Sequence, residues 1–403
     1  MKKISIIGAG FSGLTLALRL AQQGFQVEVY DKNSRPGGLI STEKTEHGLV
    51  ESAANSVIAT QRMQNLFLEL GIQSVKPLET SKRRFIFRTK PHQWPLGIFE
   101  TLGFVLRLVP RFIFARTSLK PESQQTLLNW GEKFMGKKAT RFLLGPAMQG
   151  IYANEISGLS AKLILGPLFQ PGREKYKGLL SGEQGLQTLT DGLFHKLSEM
   201  GVKFHLNSQP ALSSFTNPVV VATSASAAAE LLKEKDPLKS QILAKIPMSS
   251  LISSTLFFKA PQTRYQGFGC LIPRELDLKT LGILMNPYIF PHRDRVYNET
   301  WLIGGRGEEA LLKLNDAEIL QRIAEERFRI LGAKDGLHDY RIHRWDNALP
   351  YYGLDLEKAL KELNALPASK EVYLHGNYLS GIGLSKILER TEKLALQIGA
   401  DNV

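Results

Sequence analysis

Residues 3–31 read KISIIGAGFSGLTLALRLAQQGFQVEVYD, and the fold turns on them. Ile4, Ile6 and Ile7 form a short β-branched run, the mark of a buried strand. Gly8, Gly10 and Gly13 follow as G-x-G-x-x-G, with Phe11 and Ser12 between them. Residues 14–21 are apolar at helical spacing, and a second strand over 27–30 ends in Asp31. Strand, glycine triplet, helix, strand and acid in that order make a dinucleotide-binding βαβ unit. Gly8 permits the tight turn, Gly10 lets a pyrophosphate approach the backbone, and Gly13 lets helix and sheet pack closely. The helix N-terminus offers N–H groups to phosphates, and Asp31 stands where a carboxylate accepts ribose hydroxyls. Lys2 and Lys3 precede an apolar run, but Arg19 and the glycines interrupt it, so a secretory leader is not expected.

The acid is followed directly by KNSRPGGLIST, residues 32–42. This resembles the R-x-G-G segment of the FAD-dependent family of amine oxidases, phytoene desaturases and protoporphyrinogen oxidases. The resemblance implies that Lys32, Arg35, Gly37, Gly38 and Leu39 run beside FAD phosphates and ribityl chain. It implies the same cofactor role for Ala53, Ala54, Asn55 and Ser56, in the stretch HGLVESAANS over 47–56. Small residues there let the backbone come close to a flat ring.

Composition bounds the remaining possibilities. With 403 residues, 43% of them hydrophobic, the chain has room for two domains. A single cysteine, Cys270, excludes an internal disulfide and reads as a small residue in a strand. No Cys/His spacing suggests a metal, and no G-x-S-x-G turn suggests a hydrolase. The net charge of +13 favours anionic partners. No nucleic-acid motif accompanies it, leaving anionic lipid or a carboxylated substrate.

Further segments narrow the resemblance to the protoporphyrinogen oxidase branch. KRRFIFR over 82–88 alternates like a strand after a basic start, and the resemblance makes Arg84 the ligand of a substrate propionate. A planar guanidinium suits that task. PAMQGIYANEISGLS over 146–160 matches the branch's P-x-x-x-G-[VI]-Y-A-G-D segment, except that Asn154 and Glu155 replace Gly-Asp; Ala153 lies at the implied substrate wall. GFGCLIP over 267–273 and the strands near 281–284 and 301–305 imply Ile272, Leu284 and Trp301 as apolar substrate contacts. RWDNALPYY over 344–352 places Trp345 near the flavin. VYLHGNYLSGIGL over 372–384 resembles the closing FAD motif, implying Gly376, Asn377, Gly381, Ile382, Gly383 and Leu384.

Residues 98–119 are apolar with basic interruptions, and Pro110 is expected to break them. They are no transmembrane helix. They suit either an interfacial helix facing lipid or a helical cover over a substrate pocket. Residues 133–144 are expected to continue as helix.

The expected fold is α/β. A Rossmann-like FAD domain (1–76, 176–235, 363–403) joins a mixed-sheet substrate domain (77–92, 236–362) and a helical, membrane-facing subdomain (93–175). The resemblance implies oxidation of protoporphyrinogen IX by dioxygen with hydrogen peroxide as product, in haem biosynthesis. A hydride would pass to the flavin, and no acid/base residue is assigned. Coproporphyrinogen III oxidation remains open, because Lys82, Arg83, Arg84, Arg88 and Lys90 would suit more carboxylates. A polyene or lipid desaturase, or an amine oxidase, is a more distant alternative. The implied partners are a tetrapyrrole, dioxygen and a membrane surface, with a homodimer left open and no nucleic acid. The implied location is cytoplasmic, peripheral or monotopic on the inner face of the cell membrane.

Overall fold

The computed structural model describes residues 2–401 except Arg173 and Asp335. Two large sheets organise it. The first contains five parallel strands in the order Lys203–His205, Gln26–Tyr30, Lys3–Ile7, Val219–Val221, Val372–Leu374. Its order reverses beside the first strand, the place where open parallel sheets bind ligands at their carboxyl ends. Alternation divides its two faces. Ile4 and Ile6 pack beneath the Phe11–Gln22, Gln187–Glu199 and Leu384–Asp401 helices, whereas Ile7, Val219 and Val221 join a second core on the opposite face.

The second sheet is mixed. Its seven strands run Leu337–Pro350, Met248–Phe258, Tyr297–Gly304, Thr280–Met285, Gly269–Leu271, Arg84–Phe87, Pro91–His92. The pairing of Gly269–Leu271 with Arg84–Phe87 is parallel, and its other neighbours are antiparallel. One face is closed by the Asp316–Leu331 helix. The connection over 207–218 contains only a short turn at Leu212–Ser214.

Two local expectations are corrected. Pro110 does not break the apolar stretch: the helix runs through it from Ile98 to Phe114. A proline removes one N–H donor and crowds the preceding turn, a cost of about 3 kcal/mol that this helix absorbs without ending. Residues 133–144 are not one helix. Leu127–Phe134 ends, Gly136 turns at φ 84°, and Lys137–Ala139 leads through a π-helical turn, Thr140–Leu144, into Gly145–Tyr152.

Candidate functional site

A cavity of about 890 Å³ opens along the carboxyl ends of the parallel strands. That is near the upper end of the roughly 300–1,000 Å³ typical of small-molecule and cofactor sites. Of the sequence-assigned cofactor residues, Gly8, Gly10, Phe11, Ser12, Asp31, Lys32, Arg35, Gly37, Gly38 and Leu39 line it. So do Ala53, Ala54, Trp345, Gly376, Asn377, Ile382 and Leu384.

The glycines form a cradle. A Cβ on Gly13 would lie 1.8 Å from the Gly8 carbonyl oxygen, so helix and turn meet backbone to backbone. Gly10 faces open space apart from Gly38, whose Cα a Gly10 Cβ would meet at 3.9 Å. Gly37 and Gly38 adopt positive φ, and Gly10 and Gly37 form a parallel bridge. Gly10 is the N-cap of Phe11–Gln22, with no side-chain cap bond, so the first-turn amides remain available to an anion. Asp31 accepts from the backbone N–H of Ala9 at 2.7 Å and of Asn33 at 2.8 Å. Arg35 does not reach outward: its guanidinium donates to the Pro36 and Ile40 carbonyls, bracing the glycine turn. These features fit a dinucleotide. The Asn55 amide oxygen, next to Ala54 in sequence, is buried and has no hydrogen-bond partner among the described residues.

Gly13, Asn55, Ser56, Gly381 and Gly383 do not line the cavity. Gly13 acts through packing, and Gly381, at φ 111°, shapes the turn into Leu384–Asp401. The cavity also contains residues the sequence reading missed: Ser208, Gln209, Thr223, Ser224, Leu251, Ser253, Asp346 and Asn347. Thr223 and Ser224 follow the Val219–Val221 strand, so the rule that ligands sit at strand carboxyl ends would have found them.

The second sheet supplies the adjoining wall, and its register shows which side chains share a face. Leu251, Ser253 and Trp345 line the cavity. Leu251 pairs with Trp345, and Ser253 with Leu302. Leu302 pairs with Gly282, which pairs with Leu271. Leu271 pairs with Ile86, and Gly269 with both Leu284 and Arg84. One face therefore carries Leu251, Leu302, Leu271, Leu284, Ile86 and Arg84 beside the cavity. All five aliphatic members are only half-buried. Gly150 packs over this face, for a Cβ there would stand 2.5 Å from the Leu271 side chain, and its neighbour Ile151 is exposed and lines the cavity.

Ile272 and Trp301 point the other way, which corrects the sequence assignment. Both are fully buried in the core under the Asp316–Leu331 helix. The Trp301 indole donates to Glu299 at 3.0 Å, and Glu299 forms a buried ion pair with Arg327 at 2.9 Å. Because side chains alternate along a strand, a one-residue error of parity exchanges the two faces. Leu271 and Leu302, their neighbours, stand where the substrate contacts were expected. Leu284 stays on the cavity side.

Arg84 is exposed at the end of that face, its guanidinium 4.9 Å above the Phe268 ring. Among the described residues it has no carboxylate partner. Arg88, by contrast, is held by Glu100 at 2.8 and 3.1 Å and lies over Phe142. Lys82 pairs with Glu79 at 2.6 Å. Ala153 is buried at the left-handed C-terminus of Gly145–Tyr152 and abuts Gly305 rather than lining the cavity. Asn154 is structural: its amide donates to Ser249 and Tyr152 and accepts from the Arg306 N–H, fastening this helix end to the second sheet. Burial pushes the Tyr152 phenol up to about 12. Burial also pushes the Glu51 carboxyl up to about 7, against the pull of Arg293.

The two-sheet arrangement around this cavity is a fold shared with solved structures of oxidases. Residues 6–70 match the family described as NAD(P)-binding Rossmann-like domain. The fold is shared by cyclohexylamine oxidase from Brevibacterium oxydans IH-35A, with a TM-score of 0.71 at 16% identity and 99% of both chains covered. It is shared also by a crystal structure from Exiguobacterium sp. 255-15 assigned provisionally to protoporphyrinogen oxidase, with a TM-score of 0.80 at 18% identity and 99% of both chains covered. Along nearly its whole length the chain is also similar to porphyrinogen oxidases. It is 23% identical to the mitochondrial protoporphyrinogen oxidase of Nicotiana tabacum, over 96% of this chain and 92% of the relative. It is 22% identical to the coproporphyrinogen III oxidase of Bacillus subtilis (strain 168), over 96% of each.

Proposed function

We propose that this protein is an FAD-dependent oxidase of porphyrinogens, acting on protoporphyrinogen IX with dioxygen as acceptor and hydrogen peroxide as product. The observation that carries the reading is the half-covered aliphatic face of the second sheet, which begins in the wall of the dinucleotide cavity and ends at Arg84. Such a surface suits a large, flat, apolar macrocycle bearing a carboxylate at one edge. The residues that would hold the cofactor are Gly10, Gly37 and Gly38 at the phosphates, Asp31 at a ribose, and Ala53, Ala54 and Trp345 along the ring. Bound flavin supplies hydride acceptance and the return of electrons to dioxygen. The chain supplies orientation: Leu271, Leu284 and Leu302 exclude water, and Arg84 fixes the carboxylated edge.

Coproporphyrinogen, with more carboxylates, is the second reading, and a curated relative acts on it by name. The commitment of Arg88 to Glu100 favours the substrate with fewer.

The Ile98–Phe114 helix supports peripheral membrane contact. None of its residues is buried, and Ile98, Phe99 and Phe114 are more than four-fifths exposed. Arg107 and Arg111 lie on the same helix, so lipid headgroups would meet a basic rim. Among the described residues no helix is long and apolar enough to cross a membrane. The proposed location is peripheral, on the inner face of the cell membrane.

The test is oxygen uptake by the FAD-loaded protein with each porphyrinogen and with a polyene. Uptake with hydrogen peroxide release on protoporphyrinogen supports the proposal. Uptake on the polyene alone would reassign the chain to desaturation.

A further inference from the structure

Residues 51–55 cross the cavity wall, and their middle members, Ala53 and Ala54, line it. Both ends of this segment are tied to one buried side chain from the other domain. Arg293, which follows the second sheet's Thr280–Met285 strand, is 7% exposed. Its guanidinium lies 3.5 Å from the Glu51 carboxylate. It also donates to the Ser181 hydroxyl at 2.6 Å and to the Gly182 carbonyl at 2.5 Å. The same Ser181 hydroxyl donates to the Asn55 carbonyl at 3.1 Å. Arg293 therefore reaches Glu51 directly and Asn55 through Ser181. The Arg293 carbonyl accepts from the Leu49 N–H at 3.0 Å, so backbone and side chain work together. Between the two ends, the Ser52 carbonyl accepts from the Trp345 indole at 2.8 Å, and the Ser52 hydroxyl donates to Leu39.

We propose that Arg293 is a positioning residue for the cofactor wall: its guanidinium fixes both ends of the 51–55 segment and so sets how closely the Ala53–Ala54 backbone approaches the flavin. The assignment rests on the flavin reading above. Arginine suits the task because its planar fork serves two directions at once. Glu51 is itself held from behind by the Leu186 N–H and the Thr42 hydroxyl, each at 2.8 Å, so the clamp pulls against a fixed point.

The test uses the full chain, stripped of cofactor and reloaded with FAD, with Arg293→Met, Arg293→Lys and Ser181→Ala. Three quantities are read: FAD dissociation constant, flavin visible bands, and amide exchange at 51–55 in the FAD-free chain. Losing charge-assisted bonds at a buried site corresponds to roughly a tenfold change in affinity. Arg293→Met should weaken FAD by roughly that factor, shift the flavin bands and speed exchange at 51–55, with Arg293→Lys restoring most of each. A folded Arg293→Met protein with wild-type affinity, bands and exchange overturns the proposal. So does Arg293→Lys failing as fully as Arg293→Met, which would mark a packing role. Should Arg293→Met not fold, Ser181→Ala decides: faster exchange at 51–55 supports the clamp, and unchanged exchange and bands refute it. A wild-type chain that binds no FAD defeats the flavin reading, while the exchange measurement still judges the clamp.

Discussion

Replacing Trp301 and Leu302 separately distinguishes the two faces of the second sheet. Trp301 is fully buried, and its indole N–H donates to Glu299, which is itself fully buried and paired with Arg327. Trp301→Ala removes a large core side chain, at a cost of about 3–5 kcal/mol. The lost donor to a buried carboxylate adds on the order of 1–3 kcal/mol. Against an ordinary stability of about 5–15 kcal/mol, the variant should unfold at much lower urea than wild type. Leu302 is half-buried on the opposite face, so Leu302→Ala should cost only about 1–2 kcal/mol. It should instead raise KM for the porphyrinogen, because it thins the apolar wall. The assay is urea unfolding followed by far-UV circular dichroism, paired with steady-state kinetics at a denaturant-free temperature where both variants are folded. A Trp301→Ala protein of near wild-type stability with a raised KM would refute the register argument.

Other outcomes follow from the same geometry. Arg84→Ala should raise KM roughly tenfold with little loss of kcat, the signature of lost uniform binding; an unchanged KM removes Arg84 as the carboxylate ligand. Phe99→Ser with Phe114→Ser should lower partitioning into anionic vesicles at least tenfold, since each exposed ring offers roughly 1.5–3 kcal/mol on burial; vesicle flotation with unchanged partitioning would count against the lipid-facing helix. Burial raises the carboxyls of Glu51 to about 7 and of Asp294 to about 6. The folded state therefore retains protons that the unfolded chain releases from about pH 4 upward. Their contribution is fully present below that pH and is lost as pH rises through 6 and 7. Glu51→Gln should flatten the fall in unfolding free energy between pH 5 and 8, and an unaltered slope would contradict it.

Much of the dinucleotide site was legible because its parts are contiguous. Strand, glycine triplet, helix and acid lie within residues 3–31, and their order alone specifies the local geometry. The second sheet was legible as strands but not as faces. In Trp301-Leu302-Ile303 every residue is apolar, so only the pairing of Ser253 with Leu302 reveals which one meets the cavity. The same ambiguity affected Leu271-Ile272. Arg88 and Arg84 look alike in sequence, and the Glu100 partner that distinguishes them is supplied by the following helix. The role of Arg293 was invisible for a different reason: its side chain's polar partners, Glu51, Ser181 and Gly182, lie more than a hundred residues away, on segments with no shared pattern. Pro110 misled because the steric rule gives a cost, not a prohibition.

The central claim is that a porphyrinogen seated on the Leu271–Leu284–Leu302 face meets the flavin in the adjoining cavity. Anaerobic rapid mixing tests it most directly. Protoporphyrinogen should bleach the oxidised flavin absorption of the wild-type protein, and Leu302→Arg should abolish the bleaching while leaving FAD bound. Flavin that remains oxidised with every porphyrinogen offered would contradict it.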